Sequence, residues 1–153
     1  MYDGKTVTLL EGGSNYYSSV KAAPTIDKML DELMKEHGFS PPLSDFLYDD
    51  PYNILMKNVH ASIYIGLGDV NGVTCHHLAF VEKYIDWQIW IEDGKQKLPR
   101  KLVITYKTMP RAPQYIAVLS DWNFTKSFPD SLFRAEIPAK AVQVEFLKVA
   151  SEK

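Results

Sequence analysis

Arg100-Lys101-Leu102-Val103-Ile104-Thr105-Tyr106-Lys107-Thr108 is the stretch that decides the fold class of this chain. Leu102, Ile104 and Tyr106 alternate with Lys101, Val103, Thr105 and Lys107, so a strand here carries one apolar face and one largely wet face. That is the signature of an antiparallel sheet. Runs near residues 60 to 67, 73 to 82, 86 to 92, 113 to 124 and 132 to 137 repeat the β-branched and aromatic enrichment. Gly68-Asp69-Val70-Asn71-Gly72 and Glu92-Asp93-Gly94-Lys95 read as hairpin turns within a meander. Tyr115-Ile116-Ala117-Val118-Leu119 is apolar on both faces, as expected of a central strand covered on each side or of one lining an internal hollow.

Upstream, residues 5 to 20 form a hairpin pattern broken at Glu11-Gly12-Gly13-Ser14-Asn15. From Pro24 the period changes. Ile26, Met29, Leu30, Leu33 and Met34 occupy one face of a helix and Asp27, Lys28, Asp31, Glu32 and Lys35 the other, with Thr25 as N-cap and Gly38 as C-terminal stop. Pro41-Pro42 separates this helix from two shorter helical patterns, Leu43 to Tyr48 and Asp50 to Lys57, the second with Pro51 at its first helical position. The fold class read from these elements is α+β. It is a curved antiparallel sheet of about eight strands, an incomplete and unclosed barrel, with helices inserted after the first hairpin and covering the concave face. Pattern alone is compatible with a filled interior or a hollow one.

The chain has 153 residues, of which 46% are hydrophobic and 24% charged, the proportions of one folded domain able to bury a core. A formal net charge of -2 gives no reason to expect a polyanion, so nucleic acid is not an expected partner. Lys95, Lys97, Arg100, Lys101, Lys107 and Arg111 gather around one hairpin and the turn after it, without an overall basic balance behind them. No stretch reaches the roughly 18 consecutive apolar residues of a membrane span. Met1-Tyr2-Asp3-Gly4-Lys5 has neither the basic nor the apolar region of a signal peptide, and a turn followed at once by a β-rich run is what a chain beginning inside a longer fold would show. The single Cys75 cannot close an intramolecular disulfide.

Cys75-His76-His77 offers thiolate and imidazole donors, but in a strand Cys75 and His77 point one way and His76 the other. No more than two ligands converge, so no metal site is assigned. Gly66-Leu67-Gly68-Asp69-Val70-Asn71-Gly72 has the wrong glycine spacing for a dinucleotide loop, and no helix follows it. Asp49-Asp50, Asp27 with Asp31, and Asp86 read as capping, helix-surface and strand-end residues. No catalytic residue and no cofactor is assigned. Trp87, Trp90 and Trp122 lie in the β half; Trp87 and Trp90, three apart in a strand, face opposite sides, one toward the interior and one toward a rim.

His77-Leu78-Ala79-Phe80, Asp86-Trp87-Gln88-Ile89-Trp90-Ile91, Pro99-Arg100-Lys101-Leu102, Pro113-Gln114-Tyr115 and Ser120-Asp121-Trp122-Asn123, with Phe133-Arg134-Ala135-Glu136-Ile137-Pro138 near the end, resemble a family of predicted periplasmic proteins of unknown function. That family in turn resembles the lipoprotein carrier LolA and its receptor LolB. The resemblance implies a half-barrel domain over residues 1 to 147, lacking N-terminal elements, followed by a tail from 148 to 153. It implies export to the periplasm and binding of a lipid or acyl chain. The function expected is therefore a non-enzymatic periplasmic protein holding a hydrophobic ligand. The alternative is an interaction module with a filled core that docks another envelope protein. The residues expected to line a hollow are Trp87, Ile104, Tyr106, Ile116 and Val118 from the sheet, with Met29 and Leu33 from the helix.

Overall fold

A computed structural model describes residues 1–125 and 127–149 of the chain. In chain order its elements are β1 (Thr6–Glu11), β2 (Tyr16–Lys21), α1 (Ile26–His37), α2 (Pro51–Met56), β3 (Ala61–Val70), β4 (Val73–Val81), β5 (Ile85–Glu92), β6 (Pro99–Tyr106), β7 (Gln114–Val118) and β8 (Val142–Gln143). The fold is α+β and neither of its sheets closes into a barrel. Among the described residues seven of the expected strands form, joined by a short eighth that the patterns did not single out, and they divide between a three-stranded sheet, β1-β2-β8, and a five-stranded one, β3-β4-β5-β6-β7. The chain forms two compact units: Met1–Pro51 together with the chain from Thr125 onward, and Tyr52–Phe124.

In the first unit β1 and β2 pair antiparallel with Val7 opposite Val20 and Leu9 opposite Ser18, which puts these four residues on one face. α1 lies on that face. Its Met29, Leu30 and Leu33 are buried with Val7, and Val20, Phe39 and Phe146 pack around them. The helix begins after Thr25, whose extended backbone marks the cap although its hydroxyl makes no capping bond. It ends at Gly38, with left-handed backbone at φ 60; Gly38 N–H donates to the Met34 carbonyl at 3.0 Å and Phe39 N–H to that of Leu33 at 3.3 Å. The bond from Gly38 to Met34 is that of an αL cap, and the two together satisfy carbonyls the helix end would otherwise leave unpaired. Of the expected tail, 148 to 153, only Lys148 and Val149 lie within the described residues. Both attach to α1: Lys148 Nζ reaches Glu36 at 3.0 Å and Val149 N–H donates to the Glu36 carbonyl at 2.8 Å.

Three expectations in this unit are corrected. The helical pattern from Leu43 to Tyr48 is a single 3-10 turn, Ser44–Leu47, because Leu43 takes left-handed backbone at φ 70 and Tyr48 is already extended. The run from 132 to 137 is not a strand; a 3-10 turn at Asp130–Phe133 opens behind Pro129, and no strand pairs with the residues that follow among those described. The pairing of β8 with β2 is parallel, not antiparallel, and covers two register pairs, Tyr16 with Val142 and Tyr17 with Gln143.

The second unit is the meander, each strand antiparallel to the next. The β3–β4 turn is tighter than the glycine-rich stretch implies. Strand pairing runs through Gly68 and Asp69 to Val70, leaving Asn71 and Gly72, at φ 53 and φ 83, as the two left-handed residues of the connection. Register bulges interrupt β3 between Tyr64 and Gly66 and β5 between Trp90 and Ile91, and such insertions bend and twist a strand. Leu102, Ile104 and Tyr106 share a face with Trp87, Ile89 and Phe80 through the ladder, as the alternation predicts. Val103, on the face expected to be wet, is nevertheless buried.

β7 is an edge strand, not a central one. It is also shorter than the 113 to 124 run, because Leu119 N–H makes the last ladder-like bond, to the Arg100 carbonyl at 2.8 Å, and Asp121 turns the chain with φ 53. Its two outward apolar residues, Ile116 and Val118, are 56% and 52% exposed, so apolarity on both faces does not here mean burial on both.

Candidate functional site

An almost wholly apolar hollow lies in the first unit, between β1, α1 and the segment after the proline pair. Its volume is about 350 Å³. β1 contributes Val7 and Leu9, α1 contributes Met29, Leu30 and Leu33, and Leu43 and Leu47 close it from the 3-10 turn. The local sequence explains this wall. Pro41 and Pro42 cannot continue a helix, and the left-handed Leu43 turns the chain back so that Leu47 lies at the mouth instead of extending α1. Leu47 is 57% exposed, as befits a rim residue.

Polar groups in this hollow are few and engaged. The Ser44 hydroxyl, buried, faces that of Ser40 at 3.3 Å, and the Tyr2 hydroxyl donates to the Ala23 carbonyl at 2.5 Å. Beside the hollow, burial pushes the Tyr48 phenol up to about 12, aided by its hydrogen bond to Asp31 at 3.1 Å. Burial likewise holds the Asp45 carboxyl above its ordinary value. A volume near 350 Å³ is at the small end of the roughly 300–1,000 Å³ typical of ligand pockets. Walls of Val, Leu and Met can take an alkyl chain but supply no general acid, base or nucleophile.

Of the residues expected to line a hollow, Met29 and Leu33 do so here. The five sheet residues belong to the other unit. Trp87, Ile104 and Tyr106 share one face of the five-stranded sheet, and the register places Ile116 opposite Val103 and Val118 opposite Lys101 on the other. Trp87 is buried, stacked on Phe80 with ring centroids 3.9 Å apart, and its indole N–H donates to Glu82 at 2.9 Å. Trp90, on the opposite face as its spacing predicts, lies against His77, with the Lys101 ammonium 4.7 Å from its centroid. Leu9, Leu43 and Leu47 are wall residues the periodicities did not single out. The available signal was the proline pair, followed by apolar residues on an element too short to bury them itself.

Cys75, His76 and His77 part company as the strand geometry requires. His77 Nε2 meets Gln88 at 2.8 Å, whereas His76 joins Tyr64 at 3.0 Å and Asp93 at 3.1 Å. Lys97 and His76 together hold the Asp93 carboxyl below its ordinary value. The Cys75 thiol is fully buried and raised by that burial, the opposite of an activated nucleophile. Among the described residues no group of three or more His, Cys, Asp and Glu side chains is placed to hold a metal ion.

Comparison with family models matches residues 1–147 to the family of predicted periplasmic proteins DUF2092. The chain belongs to this family. That accords with the resemblance read from its motifs and with the periplasmic location it implies. No curated protein and no solved structure matches the chain. No helix among the described residues of this DUF2092 member is long and apolar enough to cross a membrane.

Proposed function

We propose that this DUF2092 protein is a non-enzymatic periplasmic protein that holds a hydrophobic ligand, a lipid or the acyl chain of a lipoprotein, in the hollow between β1 and α1. The observation that carries this reading is the hollow itself, about 350 Å³ within almost wholly apolar walls. Each methylene moved from water into such a site contributes roughly 0.8 kcal/mol, so a saturated tail is the ligand such walls reward most.

The test is binding of a fluorescent fatty-acid probe to the purified protein, with native mass spectrometry of what co-purifies. Saturable binding displaced by unlabelled fatty acid is expected, and Leu47→Trp, which fills the mouth from an exposed position, should abolish it without lowering thermal stability. Recovery of clean apoprotein with no probe binding would overturn the proposal.

One observation favours a second reading, an envelope interaction module. β3 is a ten-residue edge strand that pairs only with β4 among the described residues, and Ile63, Tyr64, Ile65 and Leu67 on it are each more than half exposed. Open, apolar strand edges accept further strands. Crosslinking from position 63 in periplasmic extract, lost when Ile63 and Leu67 are changed to Lys, would support it; unchanged crosslinking would sink it.

A further inference from the structure

The hollow between β1 and α1 has a neighbour with different chemistry. A second hollow of about 540 Å³ is lined by Thr8, Leu9, Leu10, Leu132, Arg134 and Glu136, among others, and shares Leu9 and Met1 with the first. Val7 belongs to the first hollow, and Thr8 and Leu10 to the second. These residues alternate across the strand, so the two hollows lie on opposite faces of β1 and meet at Leu9. Along the outer edge of β1 runs the N-terminal segment, with Tyr2 bridging Val7 and Met1 exchanging hydrogen bonds with Thr8 at 2.7 and 2.8 Å, so Met1 stands beside Leu9 where the two hollows meet.

The wall of the second hollow carries an exposed cation, Arg134. The Arg134 guanidinium makes no hydrogen bond or ion pair with any described residue. The nearby carboxylate that acts on it electrostatically, Asp3, is committed elsewhere: it accepts N–H groups of Lys5 at 3.0 Å and Thr6 at 2.8 Å, which hold it below its ordinary value. The Thr8 hydroxyl is taken up by Ser19 at 2.9 Å. Glu136, on the same wall, opposes an anion and weakens the site without neutralising Arg134, since no ion pair joins the two.

We infer that the ligand is a single-tailed amphiphile with an anionic head, its tail in the first hollow, its chain bent over Leu9, and its head against Arg134. This rests on the proposed hydrophobic-ligand function and adds to it the charge and orientation of the ligand. A guanidinium offers five donors in a planar fork matched to carboxylate and phosphate oxygens, and a free carboxylate and a phosphate monoester share that chemistry. In the first hollow, by contrast, the side-chain donors are engaged, Tyr2 with the Ala23 carbonyl and Ser44 with Ser40. Its volume takes one chain, not several.

The test uses the full chain and three competitors of equal tail length, dodecanoate, dodecyl phosphate and dodecanol, in displacement of a fluorescent probe. The wild type should prefer at least one anionic competitor over dodecanol by about tenfold, and the tighter of the two identifies the head. Arg134→Ala, at an exposed position, should remove that preference and leave dodecanol binding unchanged. Arg134→Lys should restore part of it, and Glu136→Gln should strengthen anion binding severalfold. Equal binding of all three competitors, indifferent to Arg134→Ala, would overturn this inference while leaving the hydrophobic-ligand reading intact. Failure of every amphiphile to bind would overturn both.

Discussion

Ser18 stands opposite Leu9 across the β1–β2 hairpin, and its hydroxyl, in a side chain 9% exposed, has no hydrogen-bond partner. A hydroxyl removed from water without a partner costs roughly 1–3 kcal/mol. It lies on the face that α1 covers, beside the wall of the first hollow. Ser18→Ala should therefore stabilise the protein by about 1 kcal/mol, seen as a rise of roughly 2–4 °C in melting temperature. A fall of the same size would mean that the hydroxyl is bonded in solution.

Gly38 closes α1 with left-handed backbone, and a Cβ built there would meet the Val149 side chain at 3.4 Å, an ordinary contact. Space is thus not the obstacle to Gly38→Ala; conformation is. The substitution should cost about 1–2 kcal/mol, the penalty of left-handed backbone for an L-residue. Gly12→Ala, where nothing lies within 4 Å and φ is not left-handed, should by comparison be nearly neutral in urea unfolding.

Tyr48 supplies a pH dependence whose sign is fixed by its shift. The phenol, pushed up to about 12 by burial and by Asp31, holds its proton more tightly in the folded chain than in the unfolded one, where it titrates near 10. The stabilisation is complete below about pH 10 and is lost as the pH climbs toward the folded value. Urea midpoints at about pH 9 and about pH 11 should fall further in the wild type than in Tyr48→Phe. Equal falls would remove Tyr48 from the account.

The rings of His77 and Trp90 are stacked across β4 and β5, with centroids 3.8 Å apart and planes 16° apart. Aromatic pairs of this kind contribute about 0.5–1.5 kcal/mol beyond the area they bury. A double-mutant cycle of His77→Ala and Trp90→Ala should return a coupling energy in that range. Additive losses would show that the two rings only share a surface.

The local periods of the sequence were enough to place α1 with both its ends, the hairpins of the meander, and Trp87 and Trp90 on opposite faces. Each depends on residues within a few positions of one another: the 3.6 spacing from Ile26 to Met34, the left-handed Gly38 and Asn71-Gly72, the twofold alternation of a strand. Tertiary structure alone decided the rest. Whether Tyr115 to Val118 is central or at an edge depends on which strand lies beyond it, and nothing in that pentapeptide records an absent neighbour. β8 is two residues long, too short to have a period, and exists only because Tyr16 and Tyr17 present an open edge more than a hundred residues away in sequence. Nor could local pattern say which of the five sheet residues expected to line a hollow share a face. Period 2 sends Ile104 and Ile116 to opposite faces once the register between β6 and β7 is set, and that register is a long-range choice. Met29 and Leu33 found their hollow against β1. Arg134 reached the neighbouring one through a chain return that no local pattern encodes.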